Sequence, residues 1–431
     1  GHQGNYNFFA SYPNNTIYTN DSWQSSIMSY FSQSENTTVN ASFAFLSTFS
    51  AIDLIALDDL YGPQGFSFSN SFSGDTTYGF NTNIQISSSQ IFSELPNLIE
   101  STAFTIADGN GVDTLDFSGF SNNQVIDLRS TEKNSISLYP SNIGGLTGNL
   151  IISAETIIEN AVGGSGNDII TGNSSNNTLN GGVGNDVLIG GSGDDTFIID
   201  SISDTVNENF NDGTDLILAS VSYTLPSNVE KITLTGSSNI DATGNNLDNI
   251  FRGNKGNNKI NGALGADKII FESLFKDYSL SLINGNVVIE DDRTGSSNGA
   301  KTLENIEIAE FSDLTKTINE LLNILHTITQ NNYGAAQLNI LYANATQRIE
   351  ASAVTSLFGT LSELNFTYSS TTINGLGNET VIISDTSIDS SLLNAVDENT
   401  TGNIDASTGI TLTGNASEIY SAFKSSGING L

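Results

Sequence analysis

The 431 residues contain no cysteine, so no disulfide can staple the chain. Lysine and arginine are scarce, 13 against 47 aspartates and glutamates, which leaves a net charge of −34. Nucleic-acid binding requires basic side chains to neutralise phosphates, so that class of partner is excluded. The excess of anions instead suits a solvated surface and a cationic ligand. No stretch approaches the roughly 18 consecutive apolar residues of a membrane-spanning helix. Methionine and tryptophan occur once each and histidine twice, at His2 and His326. The length suffices for two or three domains.

Against these absences stands one strong regularity. Seven nine-residue blocks begin with Gly, carry Asp or Asn sixth and a large apolar residue eighth. Four run head to tail from Gly163, Gly172, Gly181 and Gly190, and three more start at Gly244, Gly253 and Gly262. The sixth positions are Asp168, Asn177, Asp186, Asp195, Asn249, Asn258 and Asp267. The eighth are Ile170, Leu179, Leu188, Phe197, Phe251, Ile260 and Ile269. A flexible Gly/Asn linker would not keep the apolar column in register.

The pattern resembles the repeats-in-toxin (haemolysin-type) nonapeptide, whose fold is a calcium-binding parallel β-roll. Each Gly-rich half-block is expected to turn with positive φ, its carbonyls aimed at one centre and its sixth side chain adding charge. Calcium takes six to eight such oxygens. The expected ligands are Gly164, Gly166, Asp168, Gly181, Gly182, Gly184, Asp186, Gly190, Gly191, Gly193, Asp195 and, in the second run, Asp267. The last three residues of each block form a short strand with its middle side chain inward. That core is thin for so much Gly and Asn, so folding is expected to require calcium. If blocks alternate sides, Asp168 shares a side with Asp186, and Asn177 with Asp195. The second run has one sixth-position carboxylate and carries Arg252, Lys255, Lys259 and Lys268, so firm binding is expected in the first run and weak or no binding in the second.

The opening residues carry a second resemblance. Gly1-His2-Gln3-Gly4-Asn5-Tyr6-Asn7, then Ser26-Ile27-Met28-Ser29-Tyr30, then the helix-like Ala51–Gly62 stretch, with Ile52, Ile55, Ala56 and Leu60 on one face and Gly62 as its stop, are similar to the end of a serralysin catalytic domain. Serralysins are metzincin zinc metalloproteases. The resemblance makes His2 the third zinc histidine, Met28 the Met-turn, and Tyr30 a zinc ligand and oxyanion donor. The H-E-x-x-H portion would precede Gly1, so this chain is expected to be a fragment that does not hydrolyse peptides alone, while the complete protein acts on protein or peptide substrates with Zn2+. His326 is expected to be structural. Gly74-Asp75-Thr76 and Asp108 to Asp113 resemble the serralysin segments leading into the roll, which implicates Gly74, Thr76, Asp108 and Asp113 in a further calcium site; an ordinary Asx-turn reading of the same residues stays open.

Residues 199–243 resemble the spacer between repeat runs and are expected to supply strands rather than chemistry. Residues 277–315 look like closing strands. Beyond them, Ile349-Glu350-Ala351-Ser352 recurs as Ile404-Asp405-Ala406-Ser407, and Ile373-Asn374-Gly375-Leu376 as Ile428-Asn429-Gly430-Leu431, each 55 residues on. The expected fold is mainly β: a calcium-binding parallel β-roll after a truncated α+β metzincin remnant, then a small mixed α/β repeat region. The expected divisions are 1–62, 63–198, 199–315 and 316–431. The resemblance implies an extracellular, secreted protein, exported by type I secretion from a bacterium. The alternative is a non-enzymatic surface or adhesion protein with a relic protease segment.

Overall fold

The computed structural model describes residues 12, 14, 22–29, 31–65, 71–134, 137–293, 298–326, 330–344 and 349–431. The chain divides into two compact units, Gly1–Ile270 and Phe271–Leu431. Among the described residues no helix is long and apolar enough to cross a membrane.

In the first unit a short strand, Phe45–Leu46, precedes the helix Ala51–Tyr61. Asp53 in its first turn accepts from the backbone N–H groups of Ser50 and Ile27 and from the Ser26 hydroxyl, so one carboxylate caps the helix and anchors the segment around Met28. The buried face differs from the expected one. Ala51 and Leu54 are buried, whereas Ala56 and Leu60 face outward. Gly62 does not stop the chain's turning either: a 3₁₀ turn, Gly62–Gln64, continues it and Gly65 ends it at φ 90°. Only a residue that accepts left-handed backbone can reverse the chain there.

Beyond Thr77 three- and four-residue strands stack into a solenoid, after an excursion through the short helices Gln90–Ser93 and Leu95–Leu98 and the strand Thr102–Ile106. Along one wall the strands Thr77–Gly79, Thr114–Asp116, Asn160–Val162, Thr178–Asn180, Thr196–Ile199, Leu216–Ala219, Lys231–Leu234, Ile250–Arg252 and Lys268–Ile270 stack in parallel. Register aligns one inward residue per strand: Tyr78, Leu115, Ala161, Leu179, Phe197, Ile217, Ile232, Phe251 and Ile269, each buried. The opposite wall stacks Val125–Asp127, Ile169–Thr171, Val187–Ile189 and Thr205–Asn207, with Ile126, Ile170, Leu188 and Val206 inward. Blocks one and three therefore share one wall and blocks two and four the other. The long ladder crosses residue 198 without a break and threads both nonapeptide runs.

Positive φ accounts for few of the block glycines. Gly182, Gly191, Gly193 and Gly265 adopt it, at 81°, 104°, 123° and 132°. Gly164, Gly166, Gly181, Gly184 and Gly190 do not; a Cβ on Gly164, Gly166 or Gly184 would strike a backbone carbonyl of the neighbouring loop, and one on Gly181 or Gly190 a carboxylate. Close stacking of loops, more than turn geometry, excludes side chains here.

In the second unit, Tyr278–Ile283 and Asn286–Asp291 form an antiparallel hairpin. Asn284 and Gly285 both take positive φ at its tip, as a two-residue primed turn requires. Phe271, Phe275, Tyr278 and Phe311 pack into one aromatic cluster. Then a β/α solenoid follows. The strands Asn332–Gly334, Ser356–Gly359, Thr380–Ile383, Ile404–Asp405 and Ile428–Asn429 stack in parallel, and the helices Ala335–Asn344, Leu361–Ser369, Ser390–Asp397 and Ala416–Lys424 run beside them. The 55-residue sequence repeat conceals a shorter structural step. Asn339 donates to the Glu363 carbonyl, Asn394 to that of Glu418, and Leu361 N–H to Asp385, each across 24 residues.

Candidate calcium sites of the roll

The sixth-position side chains point inward at the loop ends of the roll and form chains of carboxylate-to-amide bonds. On one side Asp168 accepts from the backbone of Gln124 and of its own loop's Gly164, both at 2.7 Å. Asp168 N–H in turn donates to Asp186 (2.7 Å), and Asp186 N–H to Asp204 (3.0 Å). On the other side Asn177 N–H donates to Asp195 (2.6 Å), Asp195 N–H to Asp215 (2.9 Å) and Asp215 N–H to Glu230 (2.9 Å). The spacing along the first chain is 18 residues, two blocks.

Hydrogen bonds use both oxygens of Asp168 but only part of the Asp186 and Asp195 carboxylates. Asp168, Asp186 and Asp195 are each 1% exposed, yet Oδ2 of Asp186 and of Asp195 has no hydrogen-bond partner. A buried, half-satisfied anion is expensive. Burial, then the charge of neighbouring aspartates, pushes the Asp186 carboxyl up to about 6 and that of Asp195 up to about 7. Buried oxygens of one sign, stacked between loops that admit no side chain, fit a hard dication that would neutralise them and cross-link successive loops.

The asparagine positions supply the contrast. Asn177 Nδ2 donates to the Glu159 carbonyl and to Asn173, Asn249 Nδ2 to the Val229 carbonyl, and Asn258 Nδ2 to the Ile240 carbonyl. At these rungs an amide hydrogen satisfies the acceptors that would otherwise need a cation. In the second run Asp267 accepts from Asn249 N–H, so a carboxylate of that run sits in the same geometry as those of the first.

The expected entrance site also assembles. Thr76 N–H donates to Asp113 (2.7 Å) and the Thr76 hydroxyl to the Gly74 carbonyl (2.8 Å). Asp113 N–H donates to Glu159. Asp108, 2% exposed, keeps Oδ1 unpartnered, while its Oδ2 accepts from the buried Tyr78 hydroxyl at 2.5 Å. Burial raises the Asp108 carboxyl, and pushes that of Asp113 up to about 7. Sequence reasoning did not find Tyr78.

It also missed Asp204, Asp215, Glu159 and Glu230. The spacer was expected to supply strands alone, but it carries both carboxylate chains onward. Asp204 lies 18 residues after Asp186, and that spacing was the available signal. Asp215 lies 20 after Asp195, which a strict nine-residue period overlooks.

Of the expected protease residues, Met28 is 55% exposed and its N–H donates to the Ser26 hydroxyl. His2, Tyr30 and the side chain of His326 lie outside the described residues.

Comparison with known families agrees with this geometry. The model for the peptidase M10 serralysin C-terminal domain matches residues 68–225, and that for the repeats-in-toxin calcium-binding nonapeptide matches residues 243–273. The chain carries a serralysin C-terminal domain with repeats-in-toxin calcium-binding repeats. It is similar to the metallopeptidase AprA of Pseudomonas marginalis, at 38% identity over 175 residues covering 39% of this chain and 33% of that one. It is similar to serralysin B of Dickeya chrysanthemi, at 42% over 160 residues covering 37% and 30%, and to serralysin of Proteus mirabilis, at 36% over 171 residues covering 39% and 32%. The chain thus spans about a third of the length of the curated relatives it matches.

Proposed function

We propose that this chain is the calcium-stabilised C-terminal portion of a secreted, serralysin-like zinc metalloendopeptidase. The observation that carries the reading is the pair of buried carboxylate chains in a domain of serralysin type, with Asp186 and Asp195 each holding one unpartnered oxygen beside the first glycine of its own block. The proposed calcium ligands are the sixth-position aspartates Asp168, Asp186, Asp195 and Asp267, the loop carbonyls beside them, and the Gly74, Thr76, Asp108 and Asp113 group. Bound calcium supplies countercharge and a cross-link. The protein's own residues keep the loops in register through their backbone N–H groups and exclude side chains through glycine. Such a roll would fold where calcium is plentiful, outside the cell.

The zinc and peptide-cleaving part of the reading rests on the relatives and on the order His2, Met28, Tyr30. In it Tyr30 would ligate zinc and donate to the oxyanion, and Met28 would floor the zinc site. The test has two parts. Circular dichroism of the chain should gain β signal when calcium is added, and no change would remove the calcium-folded roll. The full gene product should cleave casein and lose that activity to a zinc chelator; an intact full-length protein without activity would remove the protease. The long β/α solenoid favours a second reading, a calcium-dependent surface protein, and that second outcome would support it.

A further inference from the structure

We propose that the last turn of the β/α solenoid is a self-association face, through which two copies of this chain pair across a two-fold axis. Neither calcium nor zinc enters, since the face lies wholly in the second unit.

The 55-residue repeat shows what such a face is built to meet. Leu357, Leu364 and Tyr368 of the first repeat correspond to Leu412, Ile419 and Phe423 of the second. In the first repeat the following turn covers them. Leu357 and Leu364 are fully buried, and Leu357 lies in register with Val381 of the next strand. The helix Leu361–Ser369 packs against Ser390–Asp397, and the Tyr368 hydroxyl donates to the buried Glu379 of the following turn. In the second repeat Leu412 and Ile419 are part-exposed, and Phe423 is 63% exposed. Leu431 is 41% exposed at the place of the half-buried Leu376. The sequence thus keeps apolar side chains at positions that the last turn leaves uncovered.

A solenoid that ends in water needs a terminal turn with a polar outer face. This turn carries an interior turn's face instead. Its strand Ile428–Asn429 ends the five-stranded sheet and is bonded on one side to Ile404–Asp405. Among the described residues its other edge carries no strand, and such an edge is a template for a strand from another chain. Tyr420, 64% exposed, lies one helical turn from Phe423 on Ala416–Lys424, so two rings share the face. Aromatic side chains are the ones that interfaces favour. Charge does not oppose pairing: in a chain of net charge −34, residues 404–431 carry only Asp405, Glu418 and Lys424. A strongly charged partner finds little to recognise there, whereas an apolar, nearly neutral face matches the same face of a second copy. A closed two-fold dimer needs no other surface.

The test is sedimentation velocity of the 431-residue chain in saturating calcium over a series of concentrations. Monomer should give way to dimer as concentration rises. Phe423→Asp and Leu431→Asp should each weaken dimerisation by roughly tenfold or more, because each puts a charge into a contact that excludes water. Ile202→Asp, at an exposed position of the roll, should leave it unchanged. Phe423 and Leu431 are exposed in the single chain, so circular dichroism of both variants should match wild type. A chain that stays monomeric throughout would overturn the proposal. So would a dimer that neither variant weakens, one that Ile202→Asp weakens equally, or assembly that continues past the dimer.

Discussion

Asp186→Asn separates a carboxylate that holds calcium from one that merely holds the backbone. Asp186 Oδ1 accepts from Asp168 N–H at 2.7 Å, and an asparagine oxygen can keep that bond. The difference falls on Oδ2, buried and unpartnered in the wild type. Asn177, one block earlier, shows what an amide does at that place: its Nδ2 bonds the Glu159 carbonyl at 3.0 Å. The variant should therefore keep the ladder and lose one calcium. At saturation each bound ion adds about 1.4 kcal/mol of stability per tenfold rise in free calcium. For a unit of this size that is a melting-temperature rise of about 3–6 °C per decade, on a scale of roughly 2–4 °C per kcal/mol. Melting curves across a calcium titration should show the variant's slope lower than wild type by that amount. Parallel slopes would mean that Asp186 touches no ion.

Further outcomes follow from the same structure. Carboxyls raised to about 6 at Asp186 and about 7 at Asp113 and Asp195 stabilise the ion-free roll below their unfolded value of about 3.9, and that contribution is lost as pH climbs through the folded values. In chelator the melting temperature should fall from about pH 4 to about pH 7, and saturating calcium should abolish the fall; a rise with pH in chelator would contradict the assignment. Phe197→Ala removes a fully buried ring between Leu179 and Ile217 and should cost about 3–5 kcal/mol in urea denaturation at saturating calcium. Asp385→Ala frees Leu361 N–H at the start of a solenoid helix and should cost about 1–2 kcal/mol. The β/α solenoid closes over an apolar core of Leu357, Val381, Ile404 and their neighbours, so protease resistance of residues 332–431 should not change with calcium.

Much of this molecule is written in period and spacing. A nine-residue repeat with one inward apolar residue per block can close only as stacked parallel strands, because a three-residue strand has no other partner for its backbone. The absence of cysteine and the scarcity of basic residues, together with the sixth-position aspartates, already called for a cation. Tertiary structure decided the rest. The helix Ala51–Tyr61 buries Ala51 and Leu54 rather than the stripe its spacing suggested, because its neighbours, not its periodicity, determine which side is covered. The 55-residue repeat does not mark the structural step, which is 24 residues: hydrogen bonds join structurally equivalent turns, and adjacent turns need not be alike in sequence. Asp215 stands outside every block, and it meets the Asp195 N–H across 20 residues rather than 18. A linear pattern specifies which side chains recur at fixed intervals; which acids from unlike loops share one buried space is decided by how those loops stack.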